Sequence, residues 1–225
     1  VASLTSGEYI IVWESDEQDG NSWGIFGQQF KTDGNKKGGE FAVNTTVFKS
    51  QLNPDVAPLS NGGYVVVWDT DKGPNGKSNV VSARKYDAGG APSGAEQSIV
   101  EHAGGAQDSP AAAGLSNGGF ATAWQGNGPE DESGVYFRLF DADGTASSEQ
   151  SLANTILLGE QTAPDITQVE AGGLVIVWTC SEQDGDGTGV FARRFDVAGA
   201  PLSDDTQVNI HFNASQSGAQ VSALT

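Results

Sequence analysis

Tyr64-Val-Val-Val-Trp68 is the stretch from which the fold can be read, because the chain carries it four times. Its copies are Tyr9-Ile-Ile-Val-Trp13, Phe120-Ala-Thr-Ala-Trp124 and Leu174-Val-Ile-Val-Trp178, with tryptophans 55, 56 and 54 residues apart. Five-residue apolar runs bounded by Gly-rich turns are strands covered on both faces. Upstream of each complete copy lie Ser60-Asn-Gly-Gly63, Ser116-Asn-Gly-Gly119 and Glu170-Ala-Gly-Gly173. Asn-Gly between apolar runs is a hairpin signal, and a two-residue turn of that kind puts both central residues at positive φ. A shorter strand precedes each turn, as in Asp55-Val-Ala-Pro-Leu59.

Downstream, Gly24–Phe30, Val80–Tyr86, Val135–Phe140 and Val190–Phe195 read as third strands, with Arg84, Arg138 and Arg193 in one register. Polar fourth strands follow at Phe41–Asn44, Gln97–Val100, Ser151–Asn154 and Gln207–Asn209, as edges should be. Gln51, Gln107, Gln161 and Gln216 keep the same period, and so do Pro54, Pro110 and Pro164. A repeat of about 55 residues holding four antiparallel strands predicts an all-β fold, a four-bladed β-propeller forming one domain over 1–225. The repeats run over 1–54, 55–109, 110–164 and 165–219, and 220–225 duplicate a first strand. Val1-Ala-Ser-Leu-Thr5 and Val221-Ser-Ala-Leu-Thr225 both align on Val56–Ser60, so two segments compete for one slot. A monomeric ring with one loose end is expected; the alternative is half of an eight-bladed ring completed by a second chain.

The chain has 29 acidic and 11 basic residues among 225, a formal net charge of −18. Such a surface repels nucleic-acid phosphates, so no nucleic-acid partner is expected. No apolar run approaches the roughly 20 residues of a membrane span, so no membrane insertion is expected. The start at Val1 without Met suggests a processed or partial chain. Cys180 is alone and reads as a small core residue.

The combination of Gly-Gly-Tyr-Val-Val-Val-Trp, Gln-Asp-Gly-Asp-Gly-Thr-Gly-Val-Phe-Ala-Arg-Arg-Phe-Asp, Val-Asn and Gln-Thr-Ala-Pro-Asp resembles a repeat of very large secreted bacterial proteins of the hemolysin-type calcium-binding, adhesin-like kind. The resemblance implies secretion and extracellular localisation, a calcium association and a parent repeat array. It brings no catalytic motif.

Candidate site residues sit mainly in the loops between second and third strands. Asp16, Glu17 and Asp19 in unit one match Glu182, Asp184 and Asp186 in unit four, and Glu130 and Asp131 are a weaker set in unit three. Carboxylates on Gly-bearing loops are the hard oxygen ligands Ca²⁺ takes, so Ca²⁺ is the expected cofactor; a solvated acidic hairpin is the competing reading. Unit two has Lys72-Gly-Pro-Asn-Gly-Lys77 there instead. Trp23, outside the tryptophan register, is the expected ligand-binding aromatic, with His102 and His211 as weaker candidates in a shared register. Asn44 and Asn213 begin Asn-x-Ser/Thr glycosylation patterns. No Gly-x-Ser-x-Gly, Cys-x-x-Cys or P-loop is present. The expected function is a secreted binding module recognising a glycan or a cell-surface protein. The alternatives are a cytotoxin domain, a metal-dependent hydrolase, and a spacer within a giant adhesin. A homodimer is a further expected assembly.

Overall fold

The computed structural model describes residues 1–71, 79–101, 105–169 and 172–223. It is all-β, with four four-stranded antiparallel sheets, each strand paired with its neighbour in sequence. Blade 1 holds β1 (Ala2–Ser3), β2 (Tyr9–Asp16), β3 (Trp23–Phe30) and β4 (Lys36–Ala42). Blade 2 holds β5 (Gln51–Pro58), β6 (Tyr64–Thr70), β7 (Val80–Tyr86) and β8 (Gln97–Ser98). Blade 3 holds β9 (Gln107–Gly114), β10 (Phe120–Gly126), β11 (Gly134–Phe140) and β12 (Ser151–Leu152). Blade 4 holds β13 (Gln161–Gln168), β14 (Leu174–Ser181), β15 (Thr188–Phe195) and β16 (Thr206–Gln207). The architecture is that of a β-propeller with four blades.

Three apolar layers join the blades. Ile10, Ile25 and Val43 of blade 1 meet Tyr64, Val66 and Trp68 of blade 2. Val65, Val67 and Val81 on the other face of blade 2 meet Phe120, Trp124 and Tyr136 of blade 3. Ala121, Ala123 and Phe137 then meet Ile176, Trp178 and Phe195 of blade 4. The second strands β6 and β10 are apolar on both faces because each face serves a different junction. Trp68, Trp124 and Trp178 are fully buried, so the tryptophan period is a packing signal rather than a binding one. Cys180 is a core residue in the blade 3–4 layer, and burial pushes its thiol pKa up.

The prolines mark a bend repeated in β5, β9 and β13 and matched at Gly218. Asn53, Ser109, Ala163 and Gly218 adopt left-handed φ of 51°, 51°, 48° and 70°, and β5, β9 and β13 carry a register shift at that point. For a non-glycine residue this conformation is strained. The residue after the preceding blade's tryptophan accepts the strained residue's N–H. Glu14 Oε1 accepts from Asn53 at 2.5 Å, Asp69 Oδ2 from Ser109 at 3.1 Å, Gln125 Oε1 from Ala163 at 2.7 Å, and Thr179 Oγ1 from Gly218 at 3.3 Å.

The outer rim is tied by two further sets. Asn44, Asn154 and Asn209 accept from the third-strand N–H of Ile25, Val135 and Val190. The same amides donate to Gln51, Gln161 and Gln216 of the following unit. Arg84, Arg138 and Arg193 each donate Nη1 to a carbonyl of the blade before: Val43, Ile99 and Ala153. The periodic Gln and Arg are therefore junction ties.

Three details differ from the sequence reading. The Asn-Gly-Gly turns carry one left-handed residue, not two: Gly62 (φ 89°) and Gly118 (φ 90°). Asn61 and Asn117 instead accept the N–H of Gly63 and Gly119 on Oδ1, the pattern of a three-residue loop. A Cβ on Gly63 would stand 2.2 Å from the Tyr86 carbonyl, which explains the second glycine. The fourth strands of blades 2–4 shrink to two residues; in blades 3 and 4 the Asn154 and Asn209 side chains bond the third strand just beyond them. Finally, the N-terminal copy takes the slot in blade 1, and the described part of the C-terminal copy is held by side chains without strand pairing. β1 pairs with β2, while Gly218 and Val221 dock on blade 4 through Thr179 and Asp165.

Candidate functional site at the mouth of the central channel

Five inner segments surround one central cavity of about 740 Å³: residues 1–3, 55–58, 112–114, 165–168 and 220–223. At the bulged ends of these segments it opens into a mouth of about 370 Å³, with Asp55, Asp165 and Gln220 common to both spaces. Asn53, Ser109 and the three repeated prolines complete the mouth. No Lys, Arg, His or aromatic side chain lines either space among the described residues. The lining is thus carboxylate, hydroxyl, amide and small apolar groups, which suits a neutral hydroxylated ligand and repels phosphate.

Asp55 and Asp165 hold equivalent places on β5 and β13, each directly after a repeated proline. Asp55 Oδ2 accepts the N–H of Ala112 at 2.9 Å, and Asp165 Oδ2 accepts that of Val221 at 2.7 Å. Asp165 Oδ1 also takes the Ile166 N–H at 2.9 Å. Burial raises the Asp165 pKa; the bonds from Val221 and Ile166 oppose that shift, and the charge of Asp55 adds to it. Both carboxylates line the mouth and the cavity behind it.

Behind this rim lies Asp69, 1% exposed, with Oδ2 bonded to Asn53 Nδ2 at 2.7 Å and to the Ser109 N–H. Burial pushes its pKa up to about 6; the Asn53 and Ser109 bonds work against that, and Asp108 and Glu14 work with it. Asp108 is also raised by burial. It lines a separate crevice of about 280 Å³ between blades 3 and 4, with Glu132 and Glu160.

Asp16, Glu17, Glu182, Asp186 and Glu130 are exposed, and Asp131 and Asp184 are buried. Asp19 Oδ2 and Asp131 Oδ2 accept from Asn44 and Asn154 at 3.3 and 2.9 Å, and Asp186 Oδ2 accepts the Ala214 N–H at 3.3 Å. Among the described residues no three His, Cys, Asp or Glu side chains gather as a metal-binding group. Trp23, 40% exposed, pairs with Asp16 at the outer end of the first hairpin, away from the channel. His211 is exposed, and His102 and the Lys72–Lys77 loop lie outside the described residues. Asn44 is 4% exposed, with its amide committed to Gln51 and Thr46, so the folded chain offers no glycosylation acceptor there. Sequence reading passed over Asp55 and Asp165. Their signal was a charged residue after Pro54 and Pro164 at the head of an inner strand.

No family model matches the chain, and no curated protein matches it. Among solved structures it is similar to an alpha-L-arabinanase of Penicillium chrysogenum complexed with arabinobiose, with a TM-score of 0.64, 15% identity and 97% of this chain covered. It spans 65% of that chain, just under two thirds. It is also similar to a protein of unknown function from Dyadobacter fermentans (TM-score 0.64, 10% identity, 92% of this chain and 67% of that one). An endo-arabinase from Bacteroides thetaiotaomicron gives a TM-score of 0.52 at 14% identity, over 93% of this chain and 82% of that one. At these identities the likeness is one of fold. It corrects the resemblance drawn from the repeat motifs: the neighbours with a named activity are an arabinanase and an endo-arabinase, not hemolysin-type calcium-binding proteins. The repeated Trp, Gln and Arg that carried that resemblance are blade-junction residues.

Proposed function

We propose that this propeller acts on carbohydrate at the mouth of its central channel, as a glycoside hydrolase using Asp55 and Asp165. The observation that carries the reading is the placement of two carboxylates at the mouth of a cavity lined by hydroxyl and amide groups. Glycosidic cleavage takes one carboxyl group to protonate the leaving oxygen and a second carboxylate to attack or to activate water. Asp165, whose pKa is raised, is the proton donor. Asp55 has one oxygen fixed by Ala112, and its other oxygen is the partner base or nucleophile. The likeness to a structure complexed with arabinobiose supports a pentose-containing glycan as the first substrate to try.

The test is release of reducing ends from linear arabino- and galacto-oligosaccharides by the wild type, D55N and D165N. Each substitution is expected to lower turnover at least a hundredfold while the protein still melts cooperatively. Variants as active as the wild type would end the assignment. One observation favours a second reading, a non-enzymatic glycan binder: both Asp165 oxygens already hold backbone N–H groups. Calorimetric binding that D55N abolishes, with no turnover by the wild type, would select it.

A further inference from the structure

The ring leaves two blade faces uncovered, and the last described residues stand between them. Ile11 is 37% exposed, whereas its register partners Val66 and Ile176 are fully buried against the blade before. Trp13 is half-buried, unlike the other three repeated tryptophans. On blade 4, Val208 is 55% exposed, whereas Val43, Ile99 and Ala153 in its register are fully buried against the blade after. Val175, Val190 and Ala192 are likewise half-buried where Val65, Val81 and Ala83 are fully covered.

Residues 216–223 are built as the start of another blade. Gln216 takes the Asn209 amide, Gly218 is left-handed with its N–H on Thr179, and Val221 donates to Asp165. The left-handed residue with its N–H on the preceding blade begins blades 2 to 4, the Asn amide bond recurs at blades 2 and 4, and the bond to an inner-strand Asp recurs at blade 3. In those blades the inner strand goes on to pair with a second strand, as Val56 does with Val66 and Ala57 with Val65. Residues 219–223 have no such partner among the described residues. An unpaired strand edge between two apolar faces is a template for strand addition.

We propose that the gap between blade 4 and blade 1 is a docking site for one three-stranded unit of this same repeat, entering with a strand of the Tyr64–Thr70 type along residues 219–223. The established blade junctions specify the occupant. Its second strand brings an aromatic start and a closing tryptophan onto the Val175–Val190–Val208 face, as β6 does on blade 1. Its third strand brings an arginine in the Arg84 register to the Val208 carbonyl, continuing the series Val43, Ile99, Ala153. Its opposite face covers Ile11 and Trp13.

The experiment joins a copy of residues 117–154, the β10–β12 unit, after Thr225, and follows amide exchange by mass spectrometry. Exchange at 219–223 and at 9–13 is expected to slow at least tenfold relative to the unextended chain, and the melting temperature to rise. The substitution I11E should cancel the melting gain in the extended chain and leave the unextended one unchanged. A synthetic hairpin of residues 119–140, added in trans, should protect 219–223 in a dose-dependent way even if the fusion misfolds. Unchanged exchange at 219–223 with both additions overturns the proposal. So does an unextended chain that sediments as a dimer with 9–13 already protected, because a second copy would then fill the gap.

Discussion

Replacing Asn154 with alanine tests whether the rim ties hold the blades together. Asn154 is 2% exposed; its Oδ1 accepts from Val135 N–H at 2.9 Å, and its Nδ2 donates to Asp131 Oδ2 at 2.9 Å and to the Ile156 carbonyl at 3.0 Å. Truncation leaves a buried N–H and a buried carboxylate oxygen without partners. Unmade buried bonds cost about 1–3 kcal/mol each, with the charged one at the upper end, so N154A should lose about 3–5 kcal/mol. At about 2–4 °C per kcal/mol for a chain of this size, the melting point should fall by roughly 6–20 °C. Unit two supplies the control, since Val100 stands where the other units have Asn. Adding D131A to N154V removes the stranded charge together with its partner, so the double variant should lose at least about 1 kcal/mol less than the sum of the singles. Urea unfolding followed by tryptophan fluorescence, with calorimetry alongside, measures both quantities. A loss below about 1 kcal/mol for N154A, or strict additivity in the cycle, would refute the view that Asn154 and Asp131 form one buried unit.

Asp69 should give a pH signature. Its folded pKa of about 6 lies above the ordinary carboxylate value, so the folded state holds the proton longer and stability is lost as pH rises through that range. Relative to D69N, the wild type should lose roughly 2–3 kcal/mol between pH 4 and pH 7, read from urea midpoints at each pH; a flat difference would show that the carboxylate is not desolvated. Arg193 donates Nη1 to Ala153 O at 2.7 Å and Nε to Ser203 O at 2.8 Å, with its guanidinium over the Phe195 ring. R193K should therefore destabilise by about 2 kcal/mol despite keeping the charge, because a lysine cannot make both bonds; equal stability would remove the tie. Chelation should leave the melting temperature within about 1 °C, since oxygens of Asp19, Asp131 and Asp186 already accept protein N–H groups. A rise of several degrees on adding Ca²⁺ would instead establish an ion bound by the native state.

Much of this molecule was legible in one dimension because its repeat is long and regular. The Tyr64–Trp68 run, present four times, announced apolar strands, and the Gly-Gly turns before three of its copies announced hairpins, because these signals are local. The periodic Gln and Arg were visible as register, but their role was not: Gln161 meets Asn154 across a blade crossing, and Arg193 reaches Ala153 forty residues away. Asp19 and Asp131 looked like candidate ion ligands for the same reason, as their Asn partners lie 25 and 23 residues downstream.

The channel mouth was legible least. Asp55 and Asp165 stand 110 positions apart and share a site only because the inner strands of different blades converge on one axis. The sequence by itself determined the strands, the turns, the period and therefore a propeller, since hydrophobic patterning and turn chemistry act over a few residues. Only the tertiary structure decided which carboxylates face the channel, which are ties between strands, and which blade faces stay open. Those outcomes depend on how four nearly equal units are placed around the axis, and a repeat that looks the same in every copy carries no record of its neighbours.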